Sequence, residues 1–550
     1  FLSLGAYAQQ ITVKGHVKDA SGEPIIGANV VVKGTSTGTI TDVDGNFQIQ
    51  APKGVLLQVS FVGYTSSEVQ AVANVTVILK EDSQVIDDVV VIGYATGSSR
   101  TVSGAVQKVG RKEMNAGIIA NPLSAIKGKV AGVNIQKTGG DPTAAPAIRV
   151  RGTTSLTGGN DPLVIIDGVF GDLNMLNAIS PADIENFTVL KDASETAQYG
   201  SRGASGVVVV STFKGKNYVK SMSYDGSFGI ESVYKNLDML SAAEYRSVAQ
   251  ERGISILDKG ANTNFIEEMQ RTGYTQNHRL SFSNGNDDSN YRASIGVIDQ
   301  KGILKNNSMR NYTAKLDAMQ NMFKNKLKIE FGMFGSLKQS RYINDYQKTF
   351  YSAASFNPTF PNVVNPETGM WDENANANEV QNPLGRLSIN DRENNVFINT
   401  NARITWSIIS DLKLSAFGSY TYNVKENMKY IPSTIKAGLS NRGEAYRGDN
   451  KSQSLLGNLM LTYKKAFGKH YINALGLAEV QRIINTGFGA NVHGFSSDDF
   501  GYNNLQAGAV LKWGDNTSYH NNPSLSSFMG RVNYSYADKY IVTLNARTDG

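Results

Sequence analysis

From about residue 219 to Gly550 the chain repeats one unit, a segment of roughly ten residues that is apolar on one side and polar on the other. In residues 412–422, Leu412, Leu414, Ala416, Gly418, Tyr420 and Tyr422 alternate with Lys413, Ser415, Phe417, Ser419 and Thr421. Near the end, Tyr540, Val542, Leu544 and Ala546 alternate with Ile541, Thr543, Asn545 and Arg547. Period two predicts strands that send one set of side chains outward and the other inward. The inward set includes Arg279, Lys315, Asp317, Arg403 and Arg531. Such residues are costly in a dry core and suit a water-filled lumen.

Short links near 284–290, 320–325, 409–411, 465–469 and 537–539 alternate with longer ones at 231–276, 299–309, 338–395, 424–449 and 483–524. Loops sorted by parity predict an antiparallel transmembrane β-barrel. A soluble β-sandwich or β-helix would carry an apolar inward face and would not sort its loops this way. About eleven strands are counted, and a one-chain bacterial barrel needs an even number. Only about the first half of a larger barrel is therefore expected in this chain.

The formal charge is +6, from 54 basic and 48 acidic residues with signs interspersed, which leaves no nucleic-acid footprint. The apolar runs are too short for a membrane-spanning helix. The 25 Tyr and 22 Phe suit aromatic girdles at two membrane interfaces. With no Cys, disulfides and thiolate chemistry are excluded. His16, His278, His470, His493 and His520 are scattered, and neither His-Glu-x-x-His nor a Gly-x-Ser-x-Gly elbow occurs. The acidic pairs Asp287-Asp288 and Asp498-Asp499 read as solvated charge in turns or loops. Neither an enzyme nor a cofactor or metal site is expected.

Five regions follow. Residues 1–8 look like the tail of a signal peptide, Ala6-Tyr7-Ala8 fitting a cleavage site before Gln9. Residues 9–84 read as a small β-sandwich, with strand-like runs at 11–17, 28–33, 47–50, 56–61 and 75–79. Its Asp42-x-Asp44-Gly45 lacks the spacing and closing Glu of a calcium loop and reads as a tight turn. Residues 85–96 hold an isolated β-branched run with no obvious hairpin partner. It is either a strand free to join another protein's sheet or a marginal strand of a neighbouring domain. Residues 97–215 mix extended stretches (103–109, 132–136, 147–150, 163–167, 184–190, 206–212) with helical ones (122–128, 193–199). Their Gly200-x-x-Gly203-x-x-Gly206 lacks the Lys-Ser/Thr ending of a phosphate loop, and a strand follows it. A compact domain this size suits the lumen of a plugged barrel of about 22 strands. Residues 216–550 are the barrel wall.

These residues resemble the SusC/RagA-type TonB-dependent outer-membrane transporters. Gly15-His16-Val17-Lys18-Asp19, Gly22-Glu23-Pro24-Ile25-Ile26-Gly27-Ala28 and Thr41-Asp42-Val43-Asp44-Gly45-Asn46-Phe47 resemble the family's carboxypeptidase-regulatory-like domain. Asp87, Asp88, Val89, Val90, Val91, Ile92, Gly93 and Tyr94 resemble its TonB box, which favours the strand-joining reading. Ile148-Arg149-Val150-Arg151-Gly152, residues 162–169, residues 184–194 and Tyr199-Gly200-Ser201-Arg202-Gly203-Ala204 resemble plug motifs, with Gln198 where an aliphatic residue is expected.

The resemblance implies import of oligosaccharides or peptides, driven by the proton-motive force. The implied partners are TonB with its inner-membrane energising complex, a SusD-like surface lipoprotein as lid, and outer-membrane lipid. On the plug apex, Arg151, Thr153, Thr154, Ser155 and Asn160 are the candidates for substrate contact. The loop aromatics Phe356, Phe360, Trp371, Tyr430, Tyr446, Phe495, Phe500, Trp513 and Tyr519 suit loop or partner packing better than sugar stacking. The rival readings are a siderophore or cobalamin receptor of the same architecture and a non-transporting surface-binding barrel.

Overall fold

The computed structural model describes residues 10–19, 22–35, 37–61, 64–79, 89–92, 95–98, 106–137, 139–156, 159–218, 220–374, 379–537 and 539–550. The signal-peptide reading at 1–8, and Asp87, Asp88, Gly93 and Tyr94, lie outside these residues. The chain divides into two compact units, Phe1–Val89 with Ser98–Arg100, and Val90–Gly97 with Thr101–Gly550.

The first unit is a two-sheet sandwich. One sheet orders Asn46–Pro52, Gln10–Asp19, Asn74–Leu79; the other orders Gly38–Ile40, Asn29–Val32, Leu56–Ser60, Ser67–Gln70. Alternate residues fill the space between them, Val13, Val17 and Phe47 from one side and Val30, Leu57 and Val59 from the other. Two strands were absent from the expectation, Gly38–Ile40 and Ser67–Gln70, both short and half polar. The Asp42 carboxylate accepts from the N–H groups of Asp44 (3.0 Å) and Asn46 (2.8 Å), the side-chain turn its sequence suggests.

The second unit is a wall with a domain packed on its inner face. Among the described residues eleven strands run in chain order, each antiparallel to the next: Ser221–Glu231, Gly273–Gly285, Ser289–Lys301, Ser308–Met322, Leu327–Tyr342, Asn390–Ile409, Leu412–Ile431, Glu444–Phe467, His470–Phe495, Ser524–Tyr536 and Tyr540–Asp549. Two short strands, Gly508–Val510 and Asn516–Asn521, add to His470–Phe495. Among the described residues the sheet is open, since the first and last strands of the row each pair with one neighbour.

Links alternate as the pattern predicts, two residues between Ile409 and Leu412 but a long excursion from Tyr342 to Asn390. The strands exceed the expected ten residues, however, with 24 in Glu444–Phe467 and 26 in His470–Phe495. At about 3.3 Å per residue, 24 residues extend well beyond an apolar band about 25 Å tall. The excess lies on the long-link side. There residues 444–453 are polar on both faces, so the hydrophobic alternation that reveals a strand fades.

Outward residues such as Ile295 (62% exposed), Leu455 (60%), Phe528 (63%) and Leu544 (66%) are uncovered. Aromatic rings gather at the short-turn rim, where His470 lies 5.2 Å from Phe467 and 5.0 Å from Tyr536 between ring centres. The long links fold on themselves. Phe265, Ile266, Met269, Phe356 and Phe360 form one buried cluster, and Met428, Tyr430, Phe495 and Tyr502 form another. Packing is thus the role of Phe356, Phe360, Tyr430 and Phe495, whereas Trp513 is fully exposed. Asp498 departs from the solvated-charge expectation. It accepts from Tyr430 Oη (2.8 Å), Ser433 N (2.9 Å) and Ser433 Oγ (3.0 Å), which fastens two long links together.

Candidate functional site

The domain on the inner face is a plug. Its five-stranded sheet orders Val106–Gly110, Ile184–Leu190, Val207–Thr212, Leu163–Ile166, Val169–Gly171. Val207, Val208, Val209 and Val210 are all buried, as a strand covered on both faces requires. The strand Val169–Gly171 and the helix Leu173–Asn177 were not expected, the first having three residues and the second being one turn capped by Asp172. The expected helix at 193–199 divides into Ala193–Thr196 and a 3-10 segment Ala197–Gly203, and the latter is kinked at Gly200, which takes a φ of +62°. A Cβ on Gly200 would lie 2.2 Å from Asp549 Oδ2, so this glycine serves close approach of plug to wall.

Buried ions join plug to wall. Arg279 Nε donates to Asp183 (3.0 Å), Nη2 lies 2.8 Å from the same carboxylate oxygen, and Ser294 Oγ donates to that carboxylate. Arg202 donates to Glu479 (2.7 Å) and Gln481 (2.6 Å) while lying over the Phe170 ring. Arg531 meets Glu195 at 3.4 Å, and Arg547 donates to Gln198 O at 2.8 Å. Gln198 itself is buried and donates to Glu195 O, a bond the expected aliphatic residue could not make. Lys214 bridges plug Asp167 (3.1 Å) and wall Asp317 (2.8 Å). Burial acts to raise the Asp167 carboxyl, but Lys214, Lys315 and hydrogen bonds from Thr212 outweigh it and hold the group below its usual range. The inward charges expected to face water are therefore corrected: Arg279, Lys315, Asp317 and Arg531 are buried among the plug's contacts.

A cavity of about 460 Å³ lies on the long-link side of this contact, lined by Phe170, Asn174 and Arg202 of the plug and by Thr421, Lys425 and Tyr519 of the wall. Lys425 reaches across to Asn174 Oδ1 at 3.1 Å. None of the five apex candidates lines it. They form a loop that fastens itself: the N–H groups of Thr154 and Ser155 each reach Asn160 Oδ1 at 2.8 Å, and Thr154 Oγ1 lies 2.8 Å from Ser205 Oγ. Arg151, at a φ of 58°, pairs with Asp192, and Thr153 is exposed. The wall side of the cavity was missed because strands far apart in sequence supply it. Inward parity was the one signal available for Lys425. Val89–Ile92 is a strand, and contrary to expectation it has a partner, Ala95–Ser98, in a two-stranded sheet of its own.

Residues 13–91 match the CarboxypepD_reg-like domain and residues 98–207 the TonB-dependent Receptor Plug Domain. The chain is 37% identical to TonB-dependent receptor SusC of Bacteroides thetaiotaomicron, over 100% of this chain and 57% of that protein. It is similar along its whole length to TonB-dependent receptors of the SusC type. TonB-dependent receptor P3 of Formosa agariphila is 33% identical, over 100% of this chain and 56% of its own length. The chain thus spans a little over half the length of these relatives. The structure of the RagAB peptide transporter shares the fold, with a TM-score of 0.71 at 22% identity over 82% of this chain and 55% of that one. Receptors of this type are outer-membrane β-barrels.

Proposed function

We propose that this receptor imports an oligomeric nutrient, an oligosaccharide or a peptide, across the bacterial outer membrane, with TonB and the proton-motive force supplying the work. The observation that carries it is the ionic seating of the plug. Breaking one buried pair by removing a partner costs about 3–5 kcal/mol. Moving the plug off Arg279, Glu479 and Arg531 while these charges remain buried would cost on the order of 10 kcal/mol. Micromolar binding of a nutrient yields about 8 kcal/mol, which does not suffice. External work through residues 85–96, the short stretch leading into the plug, makes up the difference. The uncovered apolar belt with its aromatic rim suits a lipid bilayer.

The packed long links offer a platform for a SusD-like lipoprotein lid. The cavity at Lys425 and Tyr519, with amide, hydroxyl and ammonium groups, suits the leading part of a polar oligomer.

Val90→Pro or Ile92→Pro removes a backbone donor from the strand TonB would pair with. In the full receptor either change should abolish uptake of fluorescent maltoheptaose or of a labelled octapeptide mixture, whichever the parent takes up, and leave surface binding intact. Uptake at the parental rate, or uptake that survives an uncoupler, would reject the proposal. Co-purification of a lipoprotein separates it from a siderophore or cobalamin receptor.

A further inference from the structure

The plug meets the wall in two ways. Around Arg279, Glu479 and Arg531 the contact is ionic. On one sector it is apolar. Phe334, Phe397, Phe417 and Leu456 of the wall are buried in the same cluster as Val164, Ile166 and Phe170 of the plug. Phe334 and Phe397 stack with ring centres 5.5 Å apart.

The plug element on this sector is the hairpin Leu163–Ile166 with Val169–Gly171, joined by Asp167 and Gly168. The hairpin lies lengthwise between two cavities. Its open end, with Leu163, Phe170 and Gly171, borders the 460 Å³ cavity, along with Phe397 and Thr421. Its turn, at Asp167, borders a second cavity of about 280 Å³ with Asp317, Glu330, Asn401, Arg403 and Phe417. The first cavity touches the long-link half of Asn390–Ile409 and Leu412–Ile431; the second touches their short-turn half. From Phe397 to Arg403 is about 20 Å along the strand at about 3.3 Å per residue.

The turn is tightly seated. Gly168 has a φ of +92°, and a Cβ there would lie 2.9 Å from Arg403 Nη2 and 4.0 Å from Phe417 Cζ. Lys214, bridging Asp167 and Asp317, holds the tip to the wall.

Resting on the import reading, we infer that the solute path runs along this hairpin, from the upper cavity past Phe397 and Phe417 into the lower one. Closed, the apolar seam is too dry for ions or polar solute, as hydrophobic constrictions are in channels. Opening begins with the hairpin swinging from the wall and Lys214 releasing; passage of a whole oligomer then requires the ionic flanks to yield under the external work. The charged lining of the lower cavity then receives a polar solute.

Conductance of the full receptor in planar bilayers with KCl tests this without any substrate. Phe397→Ala with Phe417→Ala should raise the conductance at least tenfold over the parent. Phe397→Leu with Phe417→Leu, which keeps the seam filled, should stay closed, as should Arg279→Ala with Arg531→Ala. Added to the alanine pair, Asn401→Cys should let a charged methanethiosulfonate block the current, and Ser294→Cys on the ionic flank should not. Heat-modifiable electrophoretic mobility verifies folding, and Phe417→Ala alone gives a smaller rise if the pair misfolds. Parental conductance in folded alanine variants, an equal rise from the arginine pair, or block through Ser294→Cys in place of Asn401→Cys overturns the path. Loss of energised uptake would count against the import reading and leave the conductance pattern as it is, so the two failures are distinct.

Discussion

Asp183→Ala isolates the seating of the plug. The Asp183 and Arg279 side chains are 5% and 4% exposed, and two guanidinium nitrogens lie 2.8 and 3.0 Å from Oδ1. Removing one partner from such a pair costs about 3–5 kcal/mol, because the other charge stays buried. Arg279 keeps Asp225 at 2.8 Å, but that carboxylate is 53% exposed, and an exposed pair returns about 0–1 kcal/mol. A net loss of about 3 kcal/mol is expected, which at about 1.4 kcal/mol per decade is on the order of a hundredfold in the opening equilibrium. Ile184–Leu190 begins beside Asp183 and pairs on both sides, with Val106–Gly110 and Val207–Thr212. Hydrogen exchange at its amides should therefore quicken by that factor. Asp183→Ala with Arg279→Met should recover most of the loss, since the closely paired charges leave together and only the longer contact of Arg292 (4.0 Å) and the exposed Asp225 lose a partner. Less than a threefold change in the single variant, or a double variant as damaging as the sum of its parts, would refute the reasoning.

Phe360, fully buried and edge-on to Phe356 at 5.3 Å, anchors the long-link cluster. Phe360→Ala should cost about 3–5 kcal/mol locally and expose links 232–272 and 343–389 to protease, with wall strands unchanged; equal resistance would contradict this. Burial pushes the Glu373 carboxyl up to about 7, although Asn382 N donates to it at 2.6 Å. The folded link then binds a proton more tightly than the unfolded chain. Its stability is greatest below the unfolded carboxylate pKa, falls as pH rises towards 7, and stays low above. Nicking within 343–389 should be slower at pH 5.5 than at pH 8, and Glu373→Gln should flatten the difference; a profile unchanged by that substitution would remove Glu373 as its cause.

The wall was legible because the membrane-facing and inward sets differ in polarity over each strand's central stretch. Leu455, Leu459 and Leu461 point outward, while Leu456, Asn458 and Met460 point in. The long-link halves were not legible, because both faces there are polar and period two leaves no trace. Within the plug, β-branched runs such as Val207–Thr212 declared themselves. Val169–Gly171 did not, since its existence depends on the turn at Asp167 and Gly168 and on its pairing with Leu163–Ile166. Nor did the partner of Val89–Ile92, because Ala95–Ser98, with the sequence ATGS, carries little strand propensity.

For the site, parity told which side chains look inward but not what they meet. Arg279 finds Asp183 across 96 residues, Arg202 finds Glu479 across 277, and Arg531 finds Glu195 across 336. No local pattern encodes such pairs, and each charge alone looked like one made for water. Brought together, they set the plug's position, because a plug rotated or shifted would bury each ion without its partner. A contact that was ionic all round would hold the plug in register yet admit water along its polar edges. One that was apolar all round would seal but could slide, since apolar contact is non-directional. Setting Phe334, Phe397 and Phe417 on one sector and the ion pairs on the others separates the two tasks. It is the apolar sector that can part without stranding a buried charge, apart from the Lys214 bridge at its tip.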